Sequence, residues 1–167
     1  MTKIFFTFFS FLISTGVVAA GKEIAKSEAK ACADFGGTSS VVKSETASDI
    51  RLCAFGRGII GEETFFKAKQ SKVVTIFLNP PSAPHIPPPA GTPTGDPRKI
   101  PAAPNPSSRK CQQVGGHTVI VREPAGEFSI CEFSDHSMIE EWTLFRGRSD
   151  ELNKSLTAAL EKRVKSR

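Results

Sequence analysis

Beyond its first twenty residues this 167-residue chain has no apolar run of the roughly twenty residues that cross a bilayer as a helix. It has no glycine-rich phosphate loop, no nucleophile elbow and no zinc-ligand spacing, so no catalytic residue, metal or cofactor is assigned and an enzyme is not expected. No dense block of arginine and lysine with interleaved aromatics is present, which argues against nucleic acid as a partner. The formal charge is only +5, with 22 basic against 17 acidic residues, a balance that favours anionic surfaces weakly. Tyrosine is absent and tryptophan occurs once, as Trp142.

What the chain does have begins with a leader. Lys3, the apolar run FFTFFSFLISTGVV and the small residues Val18, Ala19 and Ala20 before Gly21 form the three-part pattern of a secretory signal peptide. Cleavage is expected between Ala20 and Gly21. No cysteine follows the apolar run, so no lipid anchor is indicated. The mature chain is expected to be a free periplasmic or secreted protein.

Its organisation is a repeat. The stretch from Asn105 to Gly147 has a degenerate copy from Ala31 to Phe66. Cys32, Gly36 and Gly37 match Cys111, Gly115 and Gly116, and after a one-residue gap Cys53, Phe55, Glu62 and Glu63 match Cys131, Phe133, Glu140 and Glu141. Four cysteines in a small exported chain point to disulfides before metal ligation, with three possible connectivities. The repeat favours Cys32 with Cys53 and Cys111 with Cys131, each bridge contributing roughly 3 kcal/mol to a unit too small to be secure alone.

In order, KEIAKSEAKACADF reads as a helix over 22–35, stopped by Gly36-Gly37. TSSVVK and DIRLCAF read as a hairpin, IIGEETFFKAKQ as a short helix, and SKVVTIFLN as an extra strand without a counterpart in the second copy. Eleven of the twelve prolines fall between Pro80 and Pro106, which implies an extended spacer. The second copy starts at Asn105 as cap and Pro106 in the first turn, and its strands lie at 117–122 and 127–133. SMIEEWTLFR reads as a helix with Met138, Ile139, Trp142 and Phe145 on its apolar side, which makes Trp142 a core residue. Ser149 offers a cap for a last helix to about Val164, whose stripe of Leu152, Leu156, Leu160 and Val164 is expected to pack on the second domain; the membrane is the lesser reading.

The segment NPSS, Cys111, Gly115-Gly116, Cys131, Asp135, Glu140-Glu141-Trp142 and Leu144-Phe145-Arg146-Gly147 resembles the small exported bacterial module catalogued as domain of unknown function family 333, whose members are often labelled hemolysins. The resemblance is strong over the second copy and weak over the first. Members commonly carry a further cysteine pair, and here Ile139 and Ser149 stand in those places; the joint loss of both implies that those two pair with each other, in support of pairing within each copy. The resemblance implies no catalytic residues.

The fold class expected is therefore α+β: two small disulfide-stapled repeats, each a helix, β-hairpin and short helix, joined by a proline-rich linker. The divisions are a signal peptide at 1–20, a first repeat at 21–79, the linker at 80–104 and a second repeat with C-terminal helix at 105–167, with the two repeats acting as separate domains. His117 and His136, with Asp135 and the glutamate pair, form a possible polar cluster, read as a solvated surface pair. Glu140, Glu141, Trp142 and Arg146 are the candidate interaction residues. The expected function is a binding module for a protein of the cell envelope or exterior; the alternative is a membrane-active hemolysin-like protein.

Overall fold

The computed structural model describes residues 16–45, 48–81, 105–123 and 126–166. Most of the expected leader and nearly all of the proline-rich linker lie outside the described residues. Each half of the chain follows one order of elements. The first runs α1 (Gly16–Asp34), β1 (Thr38–Ser44), β2 (Asp49–Phe55), β3 (Gly58–Gly61), α2 (Glu62–Phe66) and, after a 3-10 turn, α3 (Lys72–Leu78). The second runs α4 (Pro106–Gln113), β4 (His117–Glu123), β5 (Gly126–Glu132), β6 (Met138–Glu140), α5 (Glu141–Arg146) and, after another 3-10 turn, α6 (Lys154–Lys165).

The six strands close into one antiparallel barrel in the order β1-β2-β3-β6-β5-β4. Two short seams join the halves: Ile60 opposite Ile139, and Lys43 and Ser44 opposite Arg122 and Val121. The expectation of two separate domains is therefore corrected. Neither set of three strands can satisfy its outer edges alone, and closure on the other set removes them.

The pleat sends successive side chains to opposite faces, which divides the core in two. Val42, Leu52, Val121 and Ile130 fill the barrel. Their sequence neighbours Cys53 and Cys131, with Phe55, Ile60, Phe133 and Ile139, form a second cluster with the helices outside. The disulfides Cys32–Cys53 and Cys111–Cys131 belong to this outer layer and pin α1 to β2 and α4 to β5, as the repeat indicated.

The double glycines explain themselves at these staples. Gly36 and Gly115 both take φ of +83°, the left-handed cap, while the amides of Gly37 and Gly116 donate back to the carbonyls of Cys32 and Cys111 at 2.9 Å. A Cβ at Gly37 would sit 2.6 Å from the Cys53 sulfur, and one at Gly116 would collide with that of Cys131. The first glycine is needed for its conformation and the second for the space its missing side chain leaves.

Three expected elements differ. VVTIFL is helix α3, not a strand: Ser71 accepts from the Val74 amide at 3.2 Å, Ser137 from Val73 at 3.2 Å and Asp135 from Lys72 at 2.7 Å, so three free amides of the first turn are satisfied. The helices expected from 59 and 137 are preceded by the third strand of each half, Gly58–Gly61 and Met138–Glu140, and start at Glu62 and Glu141. The last helix is split, a 3-10 turn capped by Asp150 preceding α6.

The terminal helices are exchanged. α3 of the first half is capped from the β5–β6 turn of the second, and Lys72 lies 5.7 Å over the Phe133 ring. In return α6 sets Leu156 against Gly58 of the first half, where a Cβ would come within 2.8 Å. Leu156 and Leu160 are fully buried, whereas Leu152 is exposed, so the stripe packs across the halves and not on the second alone.

Candidate functional site

The four candidate interaction residues do not form one surface. Glu140 turns back on its own helix, its carboxylate accepting from the Trp142 amide at 2.8 Å, the Thr143 amide at 2.7 Å and the Thr143 hydroxyl at 2.8 Å. It is the N-cap of α5. Arg146 approaches it at 3.7 Å and reaches towards the Arg57 carbonyl at 3.5 Å, so this charged pair organises one end of α5.

Glu141 is wholly buried, and its Oε2 accepts from Ser108 at 2.6 Å and from Ser107 at 3.4 Å, its Oε1 from Thr118 at 2.5 Å. The serines of NPSS thus tie α4 to α5 through a carboxylate. In the first half the same place belongs to Glu62, which accepts from Ser39. Strand register fixes this match: Ser39 faces Cys53 as Thr118 faces Cys131, and Cys53 faces Ile60 as Cys131 faces Ile139. The equivalences drawn from sequence for the glutamates shift by one residue, so that Glu62 answers to Glu141, Gly61 to Glu140 and Glu63 to Trp142.

Trp142 is 42% exposed and Phe145 44%, their rings edge to face with centroids 5.5 Å apart. The core reading of Trp142 is corrected: the helix begins one strand later than expected, which turns the apolar side to Leu144 and leaves the aromatic pair outside. Phe66, 36% exposed, is the counterpart of Phe145, but Glu63 stands where Trp142 would be. Among the described residues an exposed aromatic pair on a short, doubly capped helix exists in the second half alone.

The polar cluster expected around His117 and His136 assembles on a different carboxylate. Glu132 Oε2 lies 3.4 Å from His117 Nε2 and its Oε1 3.2 Å from His136 Nδ1. Asp135 instead caps α3 and accepts from Ser137; burial opposes its charge, but the bonds from the Ser137 hydroxyl and the amides of Lys72 and Ser137 hold its carboxyl below the ordinary aspartate range. Sequence reading missed Glu132, although the hairpin register that sets it opposite His117 could have supplied it. Among the described residues no group of three His, Cys, Asp or Glu side chains is placed to hold a metal ion.

This cluster stands on the rim of a cavity of about 780 Å3. His117, Glu132 and Met138 are cross-strand neighbours and Gly61 ends β3, so the cavity opens at one end of the barrel. Ile50, Val119 and Met138 supply its apolar wall. Glu28 of α1 also reaches it, 7% exposed and without a hydrogen-bond or ion partner among the described residues. Burial pushes the Glu28 carboxyl above the ordinary glutamate range, and Glu63 and Glu62 push it further, against weaker opposition from Lys67 and Arg51.

No curated protein and no solved structure matches the chain significantly. Residues 102–148, which carry α4, the β4–β6 strands and α5 with its aromatic pair, match the family model described as Domain of unknown function (DUF333).

Proposed function

We propose that this is an exported, non-catalytic binding module that engages a protein of the cell envelope or exterior through the aromatic face of α5. The observation that carries the reading is the Trp142–Phe145 pair: two large apolar rings held in solvent on a helix whose start is fixed by Glu140 and whose base is fixed by Glu141. Exposed aromatics on a rigid support are what binding hot spots are made of, because the rings lose little conformational freedom when covered. Two disulfides fit an oxidising compartment outside the cytoplasm. The face lies inside the DUF333 match, and in the described residues of the first half Glu63 stands in place of the tryptophan.

The alternative, a membrane-active hemolysin-like role, has less support, since no helix among the described residues is long and apolar enough to cross a membrane. Affinity capture from envelope extracts with the mature protein, run beside Trp142→Ala, tests the proposal. One partner retained by the parent and lost by the folded variant supports it. Equal capture by both removes the aromatic face from the account, and dose-dependent leakage of red cells without a partner favours the alternative.

A further inference from the structure

Positive charge without an ion-pair partner collects where the last helix crosses the first half. Among the described residues Lys69, Lys162, Arg163 and Lys165 pair with no carboxylate, whereas Lys67, Arg148 and Lys154 each have one. Two open hollows adjoin there. One, of about 440 Å3, is lined by Phe66, Lys67, Lys69 and Arg163 with no acidic side chain among them. The other, of about 510 Å3, shares Ser166 with the first and adds Lys162 and Lys165; its one carboxylate, Glu161, lies 3.2 Å from Arg148.

The dipole of α6 accounts for part of this charge, since Lys162, Arg163 and Lys165 stand in its last turn. It does not account for Lys69, which belongs to the 3-10 turn after α2 in the other half, nor for the aromatic rings beneath. Arg163 donates to the Phe66 carbonyl at 2.9 Å and lies over the rings of Phe66 and Phe35 at 5.3 and 5.7 Å, while Lys162 lies over Phe35 at 5.3 Å. Phe66 stays exposed among these cations. The charges are spread over two elements and two hollows around that ring, so one small anion would meet only some of them. The complement of such a face is an array of negative charges with an apolar layer beneath it.

We propose that this face docks the protein on an anionic phospholipid surface, its cations lying among the headgroups and Phe66 entering the interface. Lysine suits the task because its long apolar stem lets each ammonium reach a headgroup of its own. An aromatic ring is at home at the boundary between headgroups and acyl chains. The contact is peripheral, since no helix among the described residues is long and apolar enough to cross a membrane. It uses none of the residues of the Trp142 face and stands or falls without it.

Cosedimentation of the full mature chain with mixed vesicles of phosphatidylglycerol and phosphatidylcholine, beside vesicles of phosphatidylcholine alone, tests the face. Binding to the mixed vesicles only is expected, falling as salt is added. It should be weaker by roughly tenfold or more when Lys69→Gln, Lys162→Gln and Lys165→Gln are combined, weaker also in Phe66→Ala, and unchanged in Trp142→Ala. Thermal unfolding establishes that each variant is folded, and the single reversal Lys162→Glu reads the same loss should the triple variant misfold. Absence of binding to the mixed vesicles, equal binding by the triple or the Phe66 variant, loss of binding in Trp142→Ala, or equal binding to soluble dextran sulfate would overturn the proposal.

Discussion

Thr64 and Thr143 hold corresponding places in α2 and α5, and each lends its hydroxyl to the other half of the chain: Thr64 Oγ1 accepts the Met138 amide at 2.8 Å and Thr143 Oγ1 accepts the Ile59 amide at 3.1 Å. The two amides flank the Ile60–Ile139 contact, where the third strands meet for a single bridge. A seam that short is sealed at both ends by side chains from the helices that follow. Thr143→Val keeps shape but strands the Ile59 amide and one bond of Glu140, and should cost about 1 to 3 kcal/mol in denaturant unfolding. The same change at Thr64 should cost about as much, and a single cooperative transition should persist in both.

The glycines behind the disulfides are steric. Gly37→Ala and Gly116→Ala should each destabilise by about 1 to 3 kcal/mol, because the sulfurs cannot move without shifting a helix against a strand. Thermal unfolding without reductant reads the loss. Wild-type stability in either variant would mean that the staples have slack.

Adjacent residues of one motif should behave in opposite ways. Trp142→Ala should cost only about 1 kcal/mol, the scale of an exposed aromatic pair. Glu141→Ala should cost about 2 kcal/mol or more, since the hydroxyls of Ser108 and Thr118 lose their acceptor inside the structure, while Ser107 keeps Asn105 Oδ1 at 2.9 Å. A larger loss at Trp142 than at Glu141 would return the tryptophan to the core.

Acid should act through two carboxylates with opposite signs. Glu28 titrates above its ordinary value of 4.5, so the folded state holds a proton that the unfolded state has released, and its contribution to stability falls as pH rises through that window. Glu28→Gln should therefore gain stability relative to the parent at neutral pH and lose that advantage below pH 4.5. Asp135 titrates below its ordinary value of 3.8, so its contribution is present above that pH and lost as pH falls further. Asp135→Asn should be less stable than the parent at neutral pH and converge with it in acid. Unfolding curves across pH check both slopes.

Local features were legible where the signal was local. The alternation in DIRLCAF, the Asn105-Pro106 start and the glycine stops pointed to hairpins and caps, and the repeat pointed to the cysteine pairing. The run VVTIFL misled because β-branched residues favour strands in general, while here burial of Val73, Val74 and Phe77 in the shared core and three caps, two of them from the other half, make it a helix. GIIG and MIE are too short to show alternation and pass directly into helices. The barrel itself was hidden, since its closing seams are one and two residue pairs long and join segments far apart in the chain. The candidate residues suffered from the same cause: a three-residue strand displaced the start of α5, which turned Trp142 outward and drew Glu140 and Glu141 into structural bonds.

The account rests on two halves that complete one barrel, each with its disulfide inside itself and its last helix on the other. A specific protease site placed within residues 82–104 allows the chain to be cut there after folding, with the disulfides intact. Size-exclusion chromatography in native buffer should then find the two fragments eluting together as one folded species, separable by denaturant without reductant. Fragments that part in native buffer, each still folded, would contradict the shared barrel directly.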